Sequence, residues 1–252
     1  MPRTADLEWD EAGTGPAILL LHSGITDRQM WDPQMASLAE THRVIRYDAR
    51  GFGASGGATA PYSGHDDAVA ILDAAGVATA TVVGSSMGGS SAIDLSIAHP
   101  DRVSALVAVG IGPGGRTPDA QLRAGWDAVN QAYEAGDIER AIDLDTGMWV
   151  SDPAVYARVR EWNAAIYARA EEDTHEFEVE LDPPAVDRLH EIGCPVLAVV
   201  GDRDQPFMVE GARVLADGVA YGRLVVMPGL THLPSLEAPE AFDRILLDFL
   251  GA

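Results

Sequence analysis

A serine hydroxyl, a carboxylate and an imidazole together can carry out nucleophilic attack on a carbonyl. The hydroxyl is a poor nucleophile near neutral pH, so the imidazole takes its proton and the carboxylate orients the imidazole. The 252-residue chain offers all three along its length. Ser86 lies in Val83-Gly84-Ser85-Ser86-Met87-Gly88-Gly89. Asp202 and Asp204 lie in Gly201-Asp202-Arg203-Asp204-Gln205-Pro206. His232 lies in Pro228-Gly229-Leu230-Thr231-His232-Leu233-Pro234. The pattern G-x-S-x-G also occurs a second time, as Gly53-Ala54-Ser55-Gly56-Gly57. The pattern alone does not choose between Ser86 and Ser55, and the elements around them must.

Short apolar runs mark the elements. Leu7–Trp9 reads as an edge strand, and Ala17–His22, Val44–Tyr47, Ala80–Gly84, Val103–Val109, Val196–Val200 and Leu224–Met227 read as buried strands. Fully apolar runs this short fit a sheet covered on both faces. Helical spacing appears over Asp67–Ala75, Ser86–Ala98 and Pro239–Leu250. The alternation predicts a mainly parallel, three-layer α/β sheet.

The alternation breaks over residues 114–184. Seven of the chain's sixteen aromatic residues fall in this stretch, on helical patterns, so it is concentrated in rings: Trp126, Tyr133, Trp149, Tyr156, Trp162, Tyr167 and Phe177. Pro153 suits a helix start after Ser151 and Asp152, and Pro183-Pro184 closes the segment. Residues 1–113 and 185–252 then form the core, and 114–184 a helical cap inserted in it. Sites in such sheets lie beyond the strand C-termini, where this insertion begins.

With elements in place, the serines separate. Ser86 stands where the strand Ala80–Val83 turns sharply into a helix, with Gly84 and Gly88 flanking the turn. There the hydroxyl projects above the sheet and the helix N-terminus aims its free N–H groups at developing negative charge. Ser55 is followed by Ala58-Thr59-Ala60-Pro61-Tyr62, which reads as loop. Ser85 occupies the position before the nucleophile and points elsewhere. His232 is the only histidine on a loop after a late strand. His42, His65, His99, His175 and His190 sit before a strand, near helix ends or among solvated charges. Asp202 and Asp204 both follow a strand and remain alternatives for the acid.

Composition removes other classes. The formal net charge is −22, with no lysine and 17 arginines, which excludes the basic surface that nucleic acid or an anionic membrane requires. No apolar run approaches the roughly 20 residues that span a bilayer. Met1-Pro2-Arg3-Thr4-Ala5-Asp6 lacks an apolar signal region, so the expected location is cytoplasmic. Cys194 is the single cysteine, expected as a small buried apolar residue, and neither a metal cluster nor a cofactor signature is expected. Gly51-Phe52-Gly53-Ala54-Ser55-Gly56 matches G-x-G-x-x-G, but no helix follows it.

The motifs "LLLHSG" (Leu19–Gly24), "RYDARGFGAS" (Arg46–Ser55), "VVGSSMGG" (Val82–Gly89), "VVGDRDQP" (Val199–Pro206) and "GLTHLPSLEAPEAF" (Gly229–Phe242) resemble the α/β-hydrolase superfamily over nearly the whole chain. The likeness is greatest to its small esterase and 3-oxoadipate enol-lactone hydrolase branch. The resemblance implies Ser86 as nucleophile, His232 as base and Asp204, rather than Asp202, as acid. It implies an oxyanion hole from the backbone N–H groups of Met87 and Gly24, with Ile25 as the alternative if the loop is one residue longer. Ser23 replaces the family's usual glycine beside His22. His22 would hold that loop, and Asp48, Arg50 and Ser55 would belong to a structural turn. A small ester or lactone is the implied substrate, without cofactor. The same triad also serves carbon–carbon bond hydrolysis, where Arg116, Arg123, Arg158 or Arg160 would bind a substrate carboxylate. Acyl transfer and plain ligand binding are the other uses of such a chain.

Overall fold

The computed structural model describes residues 7–169 and 177–251, so His175 and the first six residues lie outside the described residues. Seven strands form one sheet: β1 (Trp9–Ala12), β2 (Ala17–Leu21), β3 (Arg43–Tyr47), β4 (Ala80–Ser85), β5 (Val103–Val109), β6 (Val196–Gly201) and β7 (Gly222–Met227). Their order is β1-β3-β2-β4-β5-β6-β7. Every neighbouring pair is parallel except β1 with β3.

Side chains alternate between the two faces of each strand, and each face meets its own apolar layer. Leu19, Leu21, Val82, Leu106 and Ala198 enter one core cluster. Ile18, Leu20, Val83, Val107 and Val199 enter the other. This explains why the central strands read as unbroken apolar runs: all six residues of β4 and of β6 are buried.

The helices are α1 (Asp32–Leu38), α2 (Gly64–Ala74), α3 (Met87–Ala98), α4 (Ala120–Glu134), α5 (Ile138–Trp149), α6 (Pro153–Tyr167), α7 (Pro206–Gly218), α8 (Pro234–Glu237) and α9 (Pro239–Leu250). Local chemistry sets their ends. Ser63 caps α2 by accepting from the Asp66 N–H, and Asp66 and Asp67 complement the helix dipole, so α2 begins three residues before the sequence expectation. Asp152 caps α6, with Pro153 in its first turn.

The edge strand differs from expectation in the same way. β1 covers Trp9–Ala12 rather than Leu7–Trp9, and Leu7 is buried in the core instead. Asp10 and Glu11 hide the strand from an apolar pattern. Asp10 pairs with Arg28 and Arg46, and Glu11 with Arg43 of the adjacent β3. An edge strand can hold itself by cross-strand charge where a central strand cannot.

α4, α5 and α6 fill the connection between β5 and β6. Val129, Ala132 and Ala141 make a small cluster of their own. Leu122, Trp149, Val159 and Trp162 join the core cluster on one face of the sheet. The three helices are therefore seated on the sheet by a tryptophan-bearing seam. Cys194 is half-buried against the core, and burial raises its pKa, which keeps it a thiol. No described helix is long and apolar enough to cross a membrane.

Candidate active site

The parallel strands β2 to β7 run the same way, so the loops after their C-terminal ends meet at one edge of the sheet. Ser86 is the single residue between β4 and α3. It has φ 50° and ψ −115°, and it is the only non-glycine residue at positive φ among the described residues. Such a backbone costs on the order of 1–3 kcal/mol. The turn is tight enough to dictate its neighbours. A Cβ on Gly84 would lie 2.2 Å from the Gly88 carbonyl oxygen, and one on Gly88 would lie 2.6 Å from that of His22. The G-x-S-x-G spacing is thus a packing requirement of the turn. A serine ahead of a helix ordinarily caps it, but the Ser86 side chain makes no cap hydrogen bond. Its backbone is held instead, N–H to the Val109 carbonyl at 2.8 Å.

The strain predicts a measurable result. Glycine tolerates this backbone, at an unfolded-state cost of about 0.5–1 kcal/mol. Ser86→Gly should therefore stabilise the fold by about 1 kcal/mol net, raising the thermal midpoint by a few degrees. A lower midpoint in a thermal melt would mean that the turn is not strained.

Ser55 and Ser85 have other surroundings. The Ser55 hydroxyl accepts from the Glu8 N–H at 2.8 Å and donates to the Asp48 carbonyl at 2.6 Å. Ser85 is wholly buried, and its hydroxyl has no hydrogen-bond partner among the described residues.

The two aspartates after β6 separate clearly. Asp202 is exposed and accepts from the Gly229 N–H at 2.6 Å. The two carboxylate oxygens of Asp204 lie 3.0 and 2.9 Å from Nδ1 of His232, and both side chains are 1% exposed. Asp204 Oδ1 also accepts from the Gln205 N–H at 2.7 Å. A carboxylate only accepts, so Nδ1 is the protonated nitrogen and Nε2 is left as an acceptor. The loops carrying these residues are pressed together: a Cβ on Gly201 would lie 2.2 Å from the Leu230 carbonyl oxygen. His232 rests against Trp149 of α5, with ring centroids 4.3 Å apart, and its N–H donates to the Trp149 carbonyl at 3.2 Å.

His22 begins the loop after β2. Its Nε2 accepts from the Ala49 N–H at 2.9 Å, and its Nδ1 donates to the Ser23 carbonyl at 2.8 Å. Burial pushes its pKa down, so the ring is a neutral brace. Asp48 accepts from the Ala54 N–H and from the backbone and guanidinium of Arg28. Gly24 sits beside Met87, since a Cβ on it would lie 3.6 Å from the Met87 Cβ. Among the described residues, neither the Gly24 N–H nor the Met87 N–H has a hydrogen-bond acceptor.

These parts open on one cleft of about 460 Å³, within the usual range for small-molecule sites. Ser86, His232, Gly24 and Met87 line it, with Ile25 alongside. Phe52, Trp126 and Trp149 give it aromatic walls. Asp145 of α5 lines it too, and sequence reading missed this residue. Its signal was an acid on the same helical stripe as buried Ile142 and Trp149.

The four arginines considered for a substrate carboxylate are engaged elsewhere, and none lines the cleft. Arg116 donates to the Phe207 carbonyl and lies over the Phe207 ring. Arg123 donates to the Pro118 carbonyl. Arg158 pairs with Glu161, and Arg160 with Glu139 and Asp143.

Among the described residues one group has ligand atoms close enough to suit a metal ion. It is His65, Asp66 and His99, within 4.8 Å of one another, which sequence spacing did not bring together. His99 Nε2 is 3.0 Å from Asp66 Oδ1, and Ser63 donates to Asp66 Oδ2 at 2.8 Å. The group lies at the opposite end of α3 from Ser86, along roughly 18 Å of helix.

A model of the alpha/beta hydrolase family matches residues 18–245. RutD of Caulobacter sp. (strain K31), named as an inferred carbamate hydrolase, is 30% identical, with 98% of this chain and 97% of that one covered. The 3-oxoadipate enol-lactonase 1 of Acinetobacter baylyi is 27% identical, covering 98% of this chain and 93% of its own. Among solved structures, Est816, described as an N-acyl homoserine lactone degrading enzyme, has a TM-score of 0.77 at 28% identity, covering 96% of each chain. The enol-lactonase from Burkholderia xenovorans LB400 has a TM-score of 0.76 at 26% identity, covering 98% of this chain and 96% of that one.

Proposed function

The chain belongs to the alpha/beta hydrolase family, and from this premise we propose that it is a serine hydrolase cleaving a small or medium carboxylic ester or lactone. The observation that carries the reading is the shared cleft. Ser86, strained and uncapped, opens on the same space as His232, whose Nδ1 is held by buried Asp204.

In this reading Ser86 Oγ attacks the carbonyl carbon as Nε2 of His232 accepts its proton. The tetrahedral oxyanion takes hydrogen bonds from the backbone N–H groups of Met87 and Gly24, each worth on the order of 3 kcal/mol of barrier. His232 then returns the proton to the leaving alkoxide, and the acyl group stays on Ser86. Water, deprotonated by His232, attacks that ester and releases the acid. A lactone follows the same path, with its alcohol remaining on the acyl chain. Residues 114–184 act as the cap and residues 1–113 and 185–252 as the core. The support for the cap is that Trp126 and Trp149 come from that segment and wall the cleft. Carbon–carbon bond hydrolysis of an acidic substrate is the weaker reading, because none of the four arginines named for it lines the cleft.

A fluorophosphonate probe with mass mapping tests the proposal. It should add one phosphonyl group, on the peptide containing Ser86, and abolish hydrolysis of a short p-nitrophenyl ester. Absence of both labelling and ester turnover in the wild type would overturn it.

A further inference from the structure

Among the described residues Asp145 is the one carboxylate lining the cleft, and the mechanism above does not use it. Its oxygens face only neutral donors among the described residues. Oδ1 accepts from Trp149 Nε1 at 3.3 Å, and Oδ2 from Asn163 Nδ2 at 3.0 Å and the Tyr167 hydroxyl at 3.4 Å. Trp and Asn nitrogens can only donate, so the carboxylate is held as an acceptor. Asn163 is itself buried and also donates to Thr146 Oγ1 at 3.2 Å, which fixes the arrangement. Burial raises the Asp145 pKa above the usual carboxylate value, the three hydrogen bonds offset only part of that rise, and no ion pair contributes. A carboxylate has room for about four donors, and three bonds leave capacity for another. Trp126 lines the same cleft, and the face of an indole ring attracts cations, while Trp149 holds Asp145 through its Nε1–H. Among the described residues no arginine lines the cleft.

We propose that Asp145, with Trp126 and Trp149, forms a recognition subsite for a protonated amine on the substrate, so that the enzyme prefers amine-bearing esters or lactones over carboxylate-bearing ones. The missing counter-charge is supplied by the ammonium group, whose N–H donors fill the remaining lone pairs. A substrate carboxylate would instead meet a like charge in a confined apolar space. This rests on the serine hydrolase reading and names its substrate class.

The test compares p-nitrophenyl esters of heptanoic acid, aminohexanoic acid and adipic acid (as the monoester) near neutral pH. Wild type should rank ammonium above methyl above carboxylate, with kcat/KM for the first and last differing by about a hundredfold. Most of that difference should lie in KM. In Asp145→Asn, which keeps the side-chain shape, the ratio should shrink to about threefold. A merely structural Asp145 would lower all three rates together and leave the ratio standing. Turnover of the esters without this ranking in wild type, or an unchanged ratio in the variant, overturns the proposal.

A binding measurement separates this result from failure of the hydrolase reading. Hexylammonium and hexanoate are titrated against wild type and Asp145→Asn by ligand-observed NMR. Hexylammonium should bind wild type about tenfold tighter than the variant, and tighter than hexanoate. Equal binding overturns the subsite. If no ester turns over yet hexylammonium shows this preference, the subsite stands and the hydrolase reading falls.

Discussion

Ser86→Ala should lower kcat for an activated ester by about a millionfold, as removal of a nucleophile does in a concerted triad. Three properties make this the largest expected effect. In the proposed mechanism Ser86 Oγ is the bond-forming atom, so no neighbour substitutes for it. Ser85 is sealed in the core and Ser55 is committed to Glu8 and Asp48. The donors at Met87 and Gly24 survive the change, so a residual rate about a thousandfold above water should remain. The fold should persist, because the Ser86 hydroxyl makes no cap bond that alanine would lose. Steady-state kinetics and fluorophosphonate labelling check this together. Retained labelling, or a loss below about tenfold, would move the nucleophile elsewhere.

The second large effect separates two aspartates only two residues apart. Asp204→Asn should cost about ten-thousandfold in kcat. Asparagine keeps the shape but presents an N–H to Nδ1, so the imidazole must turn its proton to Nε2, where it can no longer accept from Ser86. Asp202→Asn should change kcat by less than about threefold, because surface substitutions away from a site act weakly. Asp202 is exposed and serves the Gly229 N–H, so its replacement should appear in stability instead. The two variants assayed side by side decide the matter, and the reverse ranking would assign the acid to Asp202.

The reach of sequence reading followed the physics of each element. Central strands were legible because burial on both faces demands apolar residues, as in β4 and β6. The elbow was legible because close backbone approach admits only glycine at Gly84 and Gly88. β1 was misplaced because Asp10 and Glu11 satisfy themselves with arginines from sequence-distant positions. The helices α1 and α7 were not singled out, although α7 buries Met208, Gly211, Ala212 and Leu215 at helical spacing. Asp145 and the His65, Asp66 and His99 group illustrate a different limit. The helical stripe marks Asp145, but its place on the cleft, like the meeting of the two histidines with Asp66, arises only where separate elements converge.

The contact between α5 and the strand-end loops has a mechanical consequence. The His232 N–H is tied to the Trp149 carbonyl, and Gln205 Nε2 to the Met148 carbonyl at 2.8 Å. Gln205 adjoins Asp204, so the proposed acid and base are both fastened to the last turn of one helix. That turn acts as a fixed pivot. Any movement lifting it from the sheet would also pull the imidazole out of line, leaving an opened enzyme idle rather than leaky. Trp126 of α4, which lines the same cleft, is 38% exposed, and among the described residues no hydrogen bond ties it to Asp204 or His232, so in the proposed mechanism it can move without disturbing them.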